Sequence, residues 1–197
     1  MKKILASLLT FLCFFGLTHL SLAEGKDYHD QDLKNKDFSN GSLNGANFTD
    51  AILDHASFVR ASLKKAIFKG ANLANTGFYL ADLTEADLRE STGAAWLSET
   101  NLTKANLEGL TVSFGYHCTV RGANLKKCKI TGVSGPCDFS DADLRGANLR
   151  GATSLGSARF KNAIYDDDTA WPDGFDPKAA GAILKAEKTE EKKADDK

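Results

Sequence analysis

ANFTD AILDH ASFVR ASLKK AIFKG ANLAN TGFYL ADLTE ADL, residues 46–88, is the stretch that decides the fold. A large apolar residue returns every five positions: Phe48, Leu53, Phe58, Leu63, Phe68, Leu73, Phe78, Leu83, Leu88. Alanine stands two positions before most of them, as Ala46, Ala51, Ala56, Ala61, Ala66, Ala71, Ala81 and Ala86. The same period starts earlier, at Leu33, Phe38 and Leu43, and resumes at Leu97, Leu102, Leu107 and Val112. It continues through Val120, Leu125, Ile130, Phe139, Leu144 and Leu149 to Leu155, Phe160 and Tyr165. A period of five suits neither regular element. Five steps on an α-helix overshoot a full circle by about 140° and scatter the leucines around the axis. On a straight strand an odd step sends each one to the opposite face. A chain that turns a corner at every repeat keeps them all inward, so the pattern predicts a solenoid.

The triplets Ala46-Asn47-Phe48, Ala71-Asn72-Leu73, Ala81-Asp82-Leu83, Ala86-Asp87-Leu88, Ala105-Asn106-Leu107, Ala123-Asn124-Leu125, Ala142-Asp143-Leu144 and Ala147-Asn148-Leu149 share one form. They resemble the A-(D/N)-L-x-x motif of the pentapeptide-repeat family, over roughly residues 31–165. The resemblance implies an all-β fold: a right-handed quadrilateral β-helix with the large residue and the alanine pointing inward. The residue chemistry agrees. Leu or Phe buries apolar area, at about 1.5–3 kcal/mol per side chain. Asn or Asp beside it suits a corner, where such side chains bond backbone. Phe38, Phe48, Phe58 and Phe68 fall on sides two and four of the first two coils, and Leu33, Leu43, Leu53 and Leu63 on sides one and three. Aromatics are therefore expected to stack on aromatics. The repeat region 33–165 makes about seven coils, a rod roughly 34 Å long at ~4.8 Å per stacked strand.

The flanks read differently. Met1-Lys2-Lys3, an apolar run from Ile4 to Leu22, and Ser21-Leu22-Ala23 form a signal peptide over 1–23. The run is nearly long enough to be a retained anchor; Thr10, Gly16, Thr18 and His19 weaken it as a span and favour cleavage. Leu12 before Cys13 argues against a lipid anchor, so no stable membrane attachment is expected after cleavage. Cleavage leaves 23 basic against 26 acidic residues, and an exported address in the periplasm, the thylakoid lumen or the medium. Segment 24–32, with Gln31 and Lys36 in place of inward alanines, is expected to cover the first coil. Over 166–187, Trp171 and Phe175 are expected to seal the other end, and Asp176-Pro177 to start a short α-helical cap to about 187. The charged tail 188–197 is expected to be disordered.

Four spacing faults interrupt the rod. Leu88 to Leu97 is nine residues, Val112 to Val120 eight, Ile130 to Phe139 nine, and Leu149 to Leu155 six. Counting sides, they line up along one edge, which carries Trp96, Phe114, Tyr116, His117 and Pro136. These five are the candidate partner-binding strip, because irregular loops on a rigid scaffold serve recognition. The competing reading has the faults as tolerated insertions and deletions whose aromatics fold inward. Cys118, Cys128 and Cys137 each occupy the inward small-residue position. Cys118 and Cys137, one coil apart, are either a disulfide or two buried thiols serving as larger alanines.

No nucleophile stands beside a base, and no Gly-rich phosphate loop or placed carboxylate pair occurs, so no catalytic, cofactor or metal residues are expected. His29 among Asp27, Asp30 and Asp32 reads as a solvated segment rather than a cation site, and Asp166–Asp168 lacks the glycine and distal glutamate of a calcium loop. A narrow coil filled by its own side chains leaves no interior cavity. The reading is a non-enzymatic scaffold or protein-binding module, monomer or dimer, with an unidentified protein partner. Family resemblance offers a DNA-mimicking, gyrase-binding protein as the alternative. Arg60, Lys64, Lys65, Lys69, Arg145 and Arg150 interrupt the acids, and the signal sequence removes the chain from gyrase, so no nucleic-acid role is expected.

Overall fold

Each inward leucine or phenylalanine donates its backbone N–H to a carbonyl one coil further on, and this contact, repeated, builds the molecule. Leu33 N reaches Ile52 O at 2.8 Å, Leu43 N reaches Ser62 O at 2.8 Å, and Leu53 N reaches Asn72 O at 2.9 Å. The computed structural model describes residues 25–185, which form a right-handed, four-sided β-helix. The signal-peptide reading of 1–23 and the tail 188–197 lie outside the described residues. Parallel bridges Asp32–Ile52, Asp37–Ser57, Ser42–Ser62 and Asn47–Ile67 mark sides one to four.

Corners follow from the backbone. In each regular repeat the residue two after the large one takes a left-handed conformation, as Asn35, His55, Arg60, Lys65 and Leu80 do, with φ of 57–58°. The turn closes when the next small residue donates back to the large one, Ala56 N to Leu53 O at 2.8 Å. The Asn or Asp before the large residue supports this turn: Asn47 Oδ1 accepts from Thr49 N at 3.1 Å and Asp37 Oδ1 from Ser39 N at 2.9 Å. At Asp87, hydrogen bonds from the Arg89 guanidinium outweigh partial burial and hold the carboxyl below its usual range.

The expected stacking occurs. Phe38, Phe58 and Phe78 lie parallel at 4.9 and 5.2 Å, and Tyr28, Phe48 and Phe68 at 4.8 and 4.9 Å. The two columns meet edge to face across the interior, Phe48 to Phe58 at 5.3 Å and 84°. Such pairs add about 0.5–1.5 kcal/mol each beyond area burial.

Both ends depart from expectation. The ladder is longer than 33–165: on side four, Asp27, Asn47, Ile67, Asp87, Asn106, Asn124, Asp143, Ile164 and Ile183 pair in unbroken succession. Segment 24–32 is thus not a separate cover but, from Asp27 on, part of the first coil, with Tyr28 as its inward aromatic. At the other end the helix expected from Pro177 is one turn. Asp176 Oδ1 accepts from Lys178 N and Ala179 N at 2.9 and 3.1 Å, as an N-cap would. Gly181, at φ 91°, then breaks the turn. The chain continues as a strand, Ile183–Leu184, parallel to Ile164–Tyr165. The unpaired edge of the last coil outcompetes the local helix signal. Trp171 and Phe175 lie over Phe160 at 5.5 and 5.4 Å and cover the core.

Replacing Phe58, fully buried between two stacked rings, with alanine should lower the unfolding free energy in urea by about 3–5 kcal/mol. Phe38→Ala, at the half-buried end of the same column, should cost clearly less. Equal losses would mean that column position does not matter.

Candidate partner-binding edge

All four spacing faults fall between side one and side three of their coils. In coil four the chain passes from Thr92, paired with Asn72, to Trp96, paired with Gly77, one residue short. In coils five and six it runs straight through the corner as extended strands, β1 (Thr111–Phe114) and β2 (Lys129–Val133). These pair in parallel with a register shift between Val112 and Ser113. In coil seven a 3-10 turn at Leu155–Ser157 takes up the extra residue. Sides three and four stay regular throughout, through Asn101–Thr119–Asp138–Arg159 and Asn106–Asn124–Asp143–Ile164. The irregularity is confined to one edge of a fixed frame.

The strip residues divide. Phe114 is fully buried and sits edge-on to Phe139 at 5.5 Å, so it is core and not strip. Alternation in β1 turns it inward with Val112. Trp96 and Tyr116 point outward, 67% and 61% exposed, and His117 and Pro136 are exposed as well. Trp96 is paired with Gly77, which offers the indole no competing side chain. Gly135 has no side chain beside the Tyr116 ring; a Cβ there would come within 2.7 Å of Tyr116 Cδ1. Two neighbours belong to the same face: Tyr79 and Leu80, also exposed, one coil before Trp96. Tyr79 Oη donates to Glu99 Oε1 at 3.3 Å, and Glu99 N to Tyr116 O at 2.7 Å, which links the three coils. Their repeat is regular in spacing and so passed unmarked; the signal was an apolar pair in the two outward corner positions.

A void opens on side one, where the faults begin. On side one the inward positions are Leu53, Leu73, then Gly93, then Val112; glycine stands where a leucine belongs, with its Cβ excluded by Ala74. The result is a cavity of about 80 Å³ lined by Leu73, Leu88, Gly93, Leu97, Leu107 and Val112. It opens beside a groove bordered by Glu90, Ser91, Glu108 and Leu110. The expectation of a completely filled interior is corrected here.

The cysteines follow a rule shared with threonines. At Thr76, Thr100 and the three cysteines, which replace the inward alanine, the side chain donates to a carbonyl of the preceding coil: Thr76 Oγ1 to Leu53 O at 2.9 Å, Thr100 Oγ1 to Phe78 O at 2.9 Å, Cys128 Sγ to Leu107 O at 2.9 Å. Cys118 donates to Leu97 O and Cys137 to Gly115 O. All three are buried free thiols. Cys118 and Cys137 occupy equivalent places on successive coils, one residue before the Thr119–Asp138 bridge. The hydrogen bond with Cys137, then burial, push the Cys118 thiol far up, and burial pushes Cys128 up to about 12. Asp166 is likewise structural: its carboxylate accepts from Gly146 N and Thr169 Oγ1 at 2.8 and 2.9 Å.

Family models described as pentapeptide repeats match residues 32–70 and 56–92, and a second such model matches 116–164, together more than half of the chain. Among solved structures, HetL, a pentapeptide repeat protein involved in heterocyst differentiation regulation in a Nostoc cyanobacterium, is 22% identical. That match covers 82% of this chain and 86% of HetL at a TM-score of 0.46. A pentapeptide repeat protein from the Arabidopsis thaliana thylakoid lumen is 31% identical over 64% of this chain and 70% of its own, with a TM-score of 0.28. Trypsin-treated QnrB1, a plasmid-mediated fluoroquinolone resistance protein, is 19% identical over 83% and 87%, with a TM-score of 0.37. No curated protein matches the sequence.

Burial and raised thiol pKa together predict that the native chain resists alkylation by iodoacetamide at pH 8 at Cys118 and Cys128. The urea-unfolded chain should react at once, since the thiolate is the nucleophile. Because the folded pKa of Cys128 lies above its unfolded value, its protonated form favours the native state up to about pH 9. That contribution then fades as the pH climbs towards 12. Mass spectrometry of the labelled sites reads the result; rapid native labelling would show that these thiols are not core.

Proposed function

Because the chain belongs to the pentapeptide-repeat family, we propose that it is an exported, non-enzymatic binding module that engages a protein partner along its irregular edge. Pentapeptide-repeat proteins are generally structural or binding modules. The observation that carries the reading is the set of Tyr79, Leu80, Trp96 and Tyr116, exposed together on one side of the rod. Exposed aromatics grouped on a rigid surface are what interface anchors look like, since tryptophan and tyrosine dominate binding hot spots. Tyr79, Trp96, Tyr116, His117 and Pro136 make the strip, and Phe114 supports it from within.

Export rests on the n-region, apolar run and small residues of 1–23. A DNA-like role is disfavoured by surface charge: Lys64–Asp82, Lys65–Glu85, Lys69–Glu90 and Arg121–Asp141 pair across neighbouring coils at 3.0–3.6 Å. Acids neutralised in this way do not form a continuous phosphate-like track.

A photo-crosslinking amino acid at His117, in the native host and with cell fractionation, tests the proposal. A single protein should be captured outside the cytoplasm. Trp96→Ser combined with Tyr116→Ser should cut capture by about thirtyfold or more, the loss of one hot spot of ~2 kcal/mol, while the melting temperature stays put. Undiminished capture by the double variant sinks the strip, and an uncleaved cytoplasmic protein sinks export.

A further inference from the structure

At the corner after side four, the coil brings together one histidine and two aspartates that the sequence keeps apart. His29, Asp30 and Asp50 each offer one ligand atom, and these atoms lie within 4.8 Å of one another. The repeat places them. Asp30 and Asp50 hold the same left-handed corner position in successive coils, with φ of 57° and 55°. Asp30 N donates to Thr49 O at 3.0 Å, which fixes that register.

The histidine is oriented by the same carbonyl. His29 Nδ1 lies 3.0 Å from Thr49 O. A carbonyl only accepts, so this geometry assigns the ring proton to Nδ1. Nε2 faces Asp30 Oδ2 at 2.9 Å, and a divalent ion bound there takes the place of the proton between them. Metal-ligating histidines are held in this manner, with the far nitrogen donating to a backbone carbonyl.

The neighbouring acids are engaged elsewhere. Asp27 Oδ1 accepts from His29 N at 3.1 Å and Asn47 Nδ2 at 3.0 Å, and Asp32 pairs with Lys34 at 3.9 Å. Among the described residues no lysine or arginine forms an ion pair with Asp30 or Asp50. Room for the Asp50 carboxylate comes from the next coil, where residue 70 is glycine; a Cβ there would come within 2.1 Å of Asp50 Oδ1. Two carboxylates that pair with no lysine or arginine thus gather around the imidazole Nε2 across an open corner.

We infer that His29, Asp30 and Asp50 form a surface site for a first-row divalent transition metal of the zinc type. The donor set decides the class. Imidazole with carboxylates suits zinc, cobalt, nickel or copper, whereas magnesium and calcium take all-oxygen shells. Water completes the coordination, because all three residues are exposed. The ion joins coil one to coil two at the end of the ladder, so binding also stabilises that end. This inference is independent of the partner strip.

The test uses the full untagged chain, stripped with chelator and titrated calorimetrically with zinc chloride, with magnesium chloride as the comparison. One zinc should bind per chain, raise the melting temperature, and give no counterpart with magnesium at the same concentrations. His29→Gln and Asp50→Asn should each weaken zinc binding by about tenfold or more, at least what losing an outer-shell partner costs, without changing metal-free melting. His55→Gln should bind as the parent does, since His55 faces Asp54 at 3.7 Å without a second acid. Absent zinc heat, equal binding by His29→Gln, loss in His55→Gln, or magnesium binding of equal strength would each overturn the assignment.

Discussion

Every feature of this chain answers to one constraint: each coil hydrogen-bonds its backbone to the next, side by side, with no other sheet to lean on. The bond from Leu53 N to Asn72 O has counterparts on all four sides, and keeping them in line requires a corner every five residues. A corner of this kind needs a left-handed residue, and among the described residues eighteen that are not glycine accept that conformation. Each costs about 1–2 kcal/mol, a penalty no single turn could sustain. It is tolerated because each corner lets a large residue and a small one enter the core and lets two backbone groups pair. The strain is distributed along the ladder that outweighs it.

The same constraint explains which parts of the fold were legible. Leu and Phe at the fifth position have nowhere to go but inward, so the period and the aromatic columns followed from the letters, while the right-handed winding came with the family resemblance. Gln31 and Lys36 hid the first coil, because an open end does not need alanine there. Asp176-Pro177 did cap a turn as local rules predict, but a strand edge at Ile164–Tyr165 stood waiting, and pairing won over helix. Local signals were correct about the local turn and silent about the edge.

The candidate sites were less legible, for a geometric reason. Spacing faults could be located by counting, and their alignment along one edge survives in the structure. Which way a side chain points inside a fault depends on where the chain resumes its alternation. Phe114 and Tyr116 stand two residues apart, and one is core while the other is surface. Tyr79 and Leu80 sat in a repeat of perfect length, so counting passed over them. Asp50 could be joined to His29 only by treating residues one coil apart as neighbours, whereas sequence proximity drew attention to Asp27 and Asp32.

A narrow rod has limited places for variation, and the fault edge shows how the fold accommodates one. Coil length falls from 20 residues in the Asn72–Thr92 step to 18 at Asn101–Thr119, then rises to 21 at Asp138–Arg159. All of that change is taken up between sides one and three, while the ladders of sides three and four pass through untouched. A shortened corner leaves a gap where the core lacks a leucine, as at Gly93, and an outward residue gains reach, as Trp96 does. The edge can therefore vary in composition and length while the ladders of sides three and four stay intact. The regular sides keep an unbroken ladder, and the irregular one still pairs through β1 and β2 while its corners change length, which is why the proposed partner site is placed there.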